Sequence, residues 1–260
     1  MDRFPTEFSA LLTSRGRSIL ADRRGVLARA LDADRLVYIE GAIARDTAMA
    51  AHDLLERQLR PCLVPLVRAI PPEAIANQTR NHQERLIKVA RQETAYLERR
   101  SSRAWKAADR IGLIAMLQSE SLRNLAQRLS GRPLDRRSGQ QVLRYGPGDY
   151  VGPHTDHYPE DPRAAGGYLD VHVSFGHPDV RHHYLVWALD GHFTRMVDVN
   201  RPGGIAIYRL PFWHYTTPLV ARVGREATAS RWVALATYRF APAAGRPRAH
   251  AFGGKVGPSS

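Results

Sequence analysis

Near Gln140 the period of this sequence changes, and the change limits what the chain can fold into. From there on, apolar and polar residues alternate in short runs: Gln141 to Tyr145, Tyr150 to Asp156, Tyr168 to Phe175, His183 to Leu189, His192 to Val199, Ile205 to Leu210, His214 to Val220 and Arg231 to Phe240. A period of two marks strands with unlike faces. Eight short strands with turn signals between them predict a two-sheet jelly roll or barrel. Leu189-Asp190-Gly191-His192 is a two-residue hairpin signal, because Asp-Gly tolerates the positive φ angles of such a turn. Asn200-Arg201-Pro202-Gly203-Gly204 marks another turn.

Before Gln140 the reading is mainly helical. Phe8, Leu11, Leu12, Ile19, Leu20, Leu27, Ala28 and Leu31 recur at helical spacing. Asp46 is a candidate N-cap for a helix carrying Met49, Leu54, Leu55 and Leu59, which Pro61 ends. Pro65, Pro71 and Pro72 predict an irregular stretch, and from Pro72 to Arg100 the residues Leu86, Ile87, Ala90, Thr94 and Leu97 form a narrow apolar stripe of a polar helix. Ser119 to Gly131 is the clearest helix, capped by Ser119, with Gly131 suited to the left-handed residue past its end. Leu36 to Glu40 is the one strand candidate in this half, expected at the edge of the later sheet. The expected fold class is therefore α+β: a helical N-terminal region, residues 1–135, packed on a jelly-roll core, residues 136–241, followed by a Pro-, Gly-, Ala- and Ser-rich tail, 242–260, expected to be mobile.

A chain of 260 residues with 43% hydrophobic content can bury a full core. No apolar run is long enough to span a bilayer, and the first residues lack a basic region followed by an apolar core, so neither a membrane span nor a secretory signal is expected. Cys62 is the only cysteine, which excludes an internal disulfide, fits a reducing cytoplasm and reads as a small core residue. The formal charge of +13 attracts polyanions and makes nucleic acid a candidate partner. The excess is scattered arginine, without a basic block or aromatic interleaving, so a solvated basic surface is the favoured reading.

The chemistry concentrates at the end of the second strand, where His154 and Asp156 are separated by one residue. In an extended chain their side chains project to the same face, so both can reach one metal ion. His-x-Asp is short enough to arise by chance; His177-Pro178-Asp179 is a second instance, read as a turn because its proline forbids ladder pairing. On its own, His154-Thr155-Asp156 reads equally well as a surface turn. A third ligand, His214 in Phe212-Trp213-His214-Tyr215, completes a two-His, one-carboxylate set that leaves three positions of an octahedral ion open, which suits non-haem Fe(II). Downstream, Arg231 opens a strand and shares a face with Val233 and Leu235; a cation aimed into a barrel is costly unless a carboxylate meets it.

Taken together, the run from Gln141-Val142 through Tyr145, Gly148, Tyr150, His154 and Asp156, the distal His214 followed by Pro218, and Arg231 before Trp232-Val233 resemble the Fe(II)/2-oxoglutarate-dependent dioxygenases, in particular the prolyl-4-hydroxylase-like branch. The resemblance covers about Gln140 to Phe240. It implies a double-stranded β-helix (jelly-roll) core, His154, Asp156 and His214 as iron ligands, Arg231 binding the far carboxylate of 2-oxoglutarate and Tyr145 contacting that cosubstrate. The implied cofactors are Fe(II), 2-oxoglutarate and O2, and the implied reaction is hydroxylation of a C–H bond with release of succinate and CO2. Residues 222–226 lengthen the spacing between His214 and Arg231, so Arg209, Arg222 and Arg225 remain candidates for the cosubstrate carboxylate. The Gly-Gly-acidic-Thr stretch of the prolyl hydroxylases is missing, which counts against a prolyl or peptide substrate and leaves a small or amino-acid-like molecule as the expected one. The rival readings are a jelly-roll metal-binding or sensor protein without turnover, and an oxygenase acting on nucleic acid. Tyr168, Asp170, His172 and Ser174 form a polar strand face that either meets solvent or lines the pocket; His157, His182, His183 and His192 read as surface histidines.

Overall fold

The computed structural model describes residues 1–72, 87–156 and 166–241; His157 and the tail 242–260 lie outside them. The first third of the chain winds α1 (Ser14–Leu20) and α2 (Val26–Asp34), then β1 (Leu36–Ile39) and α3 (Arg45–Gln58). Next come β2 (Val64–Arg68), β3 (Ala90–Tyr96), α4 (Arg103–Arg110), α5 (Leu113–Leu117) and α6 (Glu120–Ser130). Ser119 caps α6 by accepting from the Leu122 N–H at 3.3 Å, and Gly131 takes the left-handed conformation at its end, as the sequence predicts. The N-cap of α3 is Ala44; Asp46 sits instead inside the first turn, where its charge favours the helix dipole.

The strands that follow are β4 (Leu134–Tyr145), β5 (Tyr150–His154), β6 (Tyr168–Gly176), β7 (Val180–His182), β8 (Tyr184–Leu189) and β9 (His192–Asp198). The last four are β10 (Ile205–Leu210), β11 (His214–Thr216), β12 (Val220–Ala221) and β13 (Arg231–Phe240). They join β1 to β3 in an antiparallel sheet ordered β1-β10-β6-β13-β4-β3-β5-β11-β8-β9, with β2 on β3 and a separate β12-β7 pair. The predicted hairpin joins β8 to β9, with Asp190 at φ 51° and Gly191 at φ 81°.

Strand β3 corrects the helix expected between Pro72 and Arg100 over Ala90–Tyr96; residues 73–86 of that stretch lie outside the described residues. Its last four residues pair with β4, while Ala90 and Arg91 pair with β5, so this strand carries the sheet around its bend. The β5-β11-β8-β9 limb then faces the β4-β13-β6-β10 limb. Leu185 and Trp187 of β8 pack against Tyr168 and Tyr208 across the gap, and Val151 packs with Leu143, Val233 and Leu235. The outer face of the second limb, with Leu169, Val171, Val173, Trp232, Ala234 and Ala236, buries against Leu54, Leu55, Leu122, Leu125 and Leu129 of the helices. Burial of the leucine and valine side chains among these contributes about 1.5–3 kcal/mol each and holds the curved sheet rigid around its interior. Leu36–Ile39 does pair at the sheet edge, against β10. Cys62 is a free, partly buried cysteine packed against this core.

Candidate metal centre and its cavity

The inner face of the bent sheet encloses a cavity of about 1600 Å³. β5 and β11 pair so that His154 and His214 stand directly opposite, with ring centroids 4.2 Å apart. Asp156 lies beyond the end of β5 with φ 51°, so it is a left-handed turn, not strand alternation, that swings its carboxylate back toward the two rings. His154 Nε2 lies 3.2 Å and His214 Nε2 3.5 Å from Asp156 Oδ2, and one candidate ligand atom from each of the three residues falls within 4.8 Å of the others.

The far side of each imidazole fixes its proton. His154 Nδ1 is 2.8 Å from the Gly152 carbonyl and His214 Nδ1 is 3.0 Å from the Phe212 carbonyl. A carbonyl only accepts, so each Nδ1 donates and each Nε2 turns its lone pair toward Asp156, the arrangement that metal-ligating histidines use. Burial holds His154 below its usual pKa. Neutral imidazole and ionised carboxylate are the states a divalent cation binds, and three electron-rich atoms this close repel one another unless a cation lies among them. Lys88 Nζ donates to the other oxygen, Asp156 Oδ1, at 2.8 Å and leaves Oδ2 to face the imidazoles. No motif singled out Lys88.

Deeper in the cavity, Arg231 is 3% exposed. Its Nη2 donates to Ser174 Oγ at 2.7 Å and its Nη1 to His183 Nδ1 at 3.3 Å, while Nε has no partner. Among the described residues no carboxylate lies within ion-pair distance of it. The other candidate arginines are elsewhere. Arg209 faces away from the cavity, ion-paired with Asp32, and Arg222 and Arg225 are exposed on the loop before β13. Tyr145 pairs in register with Arg231, under whose guanidinium its ring lies at 5.8 Å. Burial raises the phenol of Tyr145 and that of Tyr208; Arg231 opposes the shift and Asp156 adds to it at both, so the two rings stand within the fields of both charges.

His183 was expected at the surface and is fully buried. Burial first, and the Arg231 charge second, hold its imidazole well below its usual pKa, so it accepts from Arg231 as a neutral ring. Of the other two described histidines read as surface, His192 is exposed, and His182 is partly buried and stacked on Tyr184. The polar face of β6 lines the cavity: Tyr168, Asp170 and His172 border it, and Ser174 holds Arg231.

A support on the outer face also escaped the sequence reading. Glu56 Oε1, on α3, accepts from Arg144 Nε at 2.7 Å, Ser230 Oγ at 2.8 Å and Trp232 Nε1 at 3.0 Å. These three donors flank Tyr145 and Arg231 in the chain, so one carboxylate clamps the backbone of both strands from behind. His52 Nε2 lies 2.8 Å from Ser230 Oγ and its Nδ1 3.2 Å from Asp53, but Ser230 and His52 are 1% and 3% exposed, which leaves a substrate no access to that Ser-His-Asp grouping.

No protein-family model and no curated protein matches the sequence. Solved structures do match the fold. SnoN, a non-haem α-ketoglutarate-dependent epimerase from nogalamycin biosynthesis, superposes with a TM-score of 0.55 at 19% identity, over 94% of both chains. An oxidoreductase of the 2OG-Fe(II) oxygenase family from Burkholderia pseudomallei gives 0.55 at 12% identity, over 88% of this chain and 94% of its own. A Pseudomonas putida prolyl-4-hydroxylase gives 0.52 at 15% identity, over 84% and 98%. The fold is that of the Fe(II)/2-oxoglutarate oxygenases. These folds agree with the resemblance carried by the motifs. Among the described residues no helix is long and apolar enough to cross a membrane.

Proposed function

We propose that the protein is an Fe(II)- and 2-oxoglutarate-dependent oxygenase that hydroxylates a C–H bond of a small molecule, with His154, Asp156 and His214 as the metal ligands and Arg231 and Tyr145 as cosubstrate residues. The observation that carries this reading is a buried guanidinium with no counter-ion among the described residues, in the same cavity as a preorganised His–Asp–His set. A barrel has no structural use for that charge, because burying it unpaired costs several kcal/mol, whereas a bidentate carboxylate satisfies it. Iron, when bound, supplies the redox chemistry that couples oxidation of 2-oxoglutarate by O2 to oxidation of the substrate.

The chain's own part is positional. Two strands present the imidazoles in the tautomer that coordinates, and Lys88 restrains the Asp156 carboxylate through Oδ1. Ser174 and His183 aim Arg231, and Val233, Leu235 and Leu143 give the cavity wall an apolar surface that keeps bulk water from the reacting centre. A carboxylate arriving at Arg231 completes the hydrogen bonding of its guanidinium and neutralises it. The test is succinate production from 2-oxoglutarate in the presence of Fe(II) and ascorbate. The wild type is expected to release succinate and His154→Ala and His214→Ala to release none; equal release by all three contradicts the reading.

A further inference from the structure

The cavity has a second unsatisfied end. β6 carries Asp170 and His172 on its inner face, and each holds a buried polar atom with no hydrogen-bond partner among the described residues: Asp170 Oδ1 and His172 Nε2. Asp170 is 6% exposed. Its contact with His172, Nε2 to Oδ2 at 3.6 Å, is too long for a hydrogen bond, and among the described residues no lysine or arginine lies within ion-pair distance of it. The strand neighbours do not supply a donor to Oδ1 either: Asp170 stands opposite Tyr208 on β10 and Thr237 on β13.

Register separates this end from the arginine end. Along β13, Arg231 and Thr237 are six residues apart, roughly 20 Å at about 3.3 Å per residue, so the cation and the unpaired carboxylate sit far apart along the same wall. Aromatic contacts tie the Asp170 end to the metal centre. His172 lies against Tyr208 at 4.2 Å, and Tyr208 meets His214 edge-on at 5.4 Å. The cavity is thus polarised, with an anion site at Arg231, the ligand set next to Tyr208, and the Asp170 carboxylate beside His172 beyond it.

We propose that Asp170 and His172 anchor the substrate, and that the group they take is a protonated amine. This rests on the cavity being the oxygenase site. An ammonium carries three donors and one positive charge, which serves the unpaired carboxylate oxygen, and His172 Nε2 as well when the ring proton is on Nδ1; an alcohol leaves the charge uncompensated and a carboxylate is repelled. Of the other cations around the same cavity, Arg68 and Arg100 are exposed and screened by salt, Lys88 is committed to Asp156, and Arg123 and Arg239 are partly buried, Arg239 opposite Tyr168; among the described residues none of them lies within ion-pair distance of Asp170. Held there, the carbon chain of an amine runs past Tyr208 toward the metal ligands.

The test uses the metal-free full chain with n-butylammonium and n-butanol as probes, followed by ligand-observed NMR. Butylammonium is expected to bind saturably to the wild type and at least about tenfold more weakly to Asp170→Asn, with His172→Phe also weakened and the exposed turn variant Asp190→Asn unchanged; butanol is expected not to saturate. Melting curves check that Asp170→Asn is folded. Equal amine binding by the wild type and Asp170→Asn overturns the proposal, as does the absence of saturable amine binding. Since neither iron nor 2-oxoglutarate is present, this outcome is independent of the oxygenase reading, which a chelate titration on Asp170→Asn tests by itself.

Discussion

Replacing Arg231 with methionine separates what a buried guanidinium does for the fold from what it does for a ligand. In the fold it makes one short hydrogen bond, to Ser174, one long one, to His183, and a cation–ring contact with Tyr145. Charge-assisted bonds of this kind contribute about 1.5–3 kcal/mol each at best, and the ring contact about 1 kcal/mol. Against them stand the unpaired Nε, about 1–3 kcal/mol, and a desolvation cost of several kcal/mol for a charge without a counter-ion. The two sides nearly cancel. Methionine fills similar volume, so Arg231→Met is expected to change the stability of the ligand-free protein by less than about 1 kcal/mol, whereas breaking a buried ion pair costs about 3–5 kcal/mol. With Mn(II) present, 2-oxoglutarate at a hundredfold excess over its Kd stabilises the wild type by about 2.7 kcal/mol. That is a rise of roughly 5–10 °C in Tm for a chain of this size, and the variant should show almost none of it. Urea titrations and thermal melts with and without 2-oxoglutarate measure both quantities. A ligand-free loss above about 3 kcal/mol would mean that Arg231 has an internal structural partner, and an equal ligand shift in both proteins would place the carboxylate elsewhere.

Glu56→Ala should behave in the opposite way. It strips Arg144, Trp232 and Ser230 of a shared acceptor, and an expected loss of about 3–5 kcal/mol is readable as a lower urea midpoint; a loss under about 1 kcal/mol would show that the clamp is dispensable. Acid sensitivity checks the same residue. Burial raises the Glu56 carboxyl, but Arg144, then Trp232 and Ser230, outweigh it and hold it below the usual range. With the folded pKa depressed, this stabilisation is present above the unfolded value and lost as pH falls through the folded one, so the wild type should lose more stability than Glu56→Gln on acidification through that window. Burial and the Arg231 charge hold His183 well below its usual pKa, so it is expected to remain a neutral ring in mild acid where a solvated histidine is protonated, which ¹⁵N NMR reads directly; an imidazolium signal there would contradict its role as acceptor from Arg231. Lys88→Met frees Asp156 Oδ1 and should weaken metal binding about tenfold, measured by Mn(II) titration, with unchanged affinity as the contrary result.

Much of the core was legible because its outer face is apolar. Leu169, Val171 and Val173, then Trp232, Ala234 and Ala236, alternate cleanly since helices cover them. Strand β3 was not legible for the complementary reason. Its buried positions include Gln92 and Thr94, which point into a polar interior, so its alternation does not register as hydrophobicity, and the spacing of Ile87, Ala90, Thr94 and Leu97 imitates a helix. β2 was hidden by Pro65, which a strand paired on one side only tolerates. At the site, the three candidate ligands and Arg231 were named from spacing and motif, and the fold brings them to one cavity. The Asp156 turn, the burial of His183, the Lys88 contact and the Glu56 clamp depend on contacts between residues distant in sequence, and no local pattern encodes them.

The most direct measurement is an anaerobic titration of the protein with Fe(II) and 2-oxoglutarate, following the visible metal-to-ligand absorption of their chelate. A saturable band with one chelate per chain, lost in His154→Ala and requiring much more 2-oxoglutarate in Arg231→Met, is the predicted result. No band in the wild type, or a band indifferent to both substitutions, would contradict the claim that this cavity is built to hold iron and a dicarboxylate together.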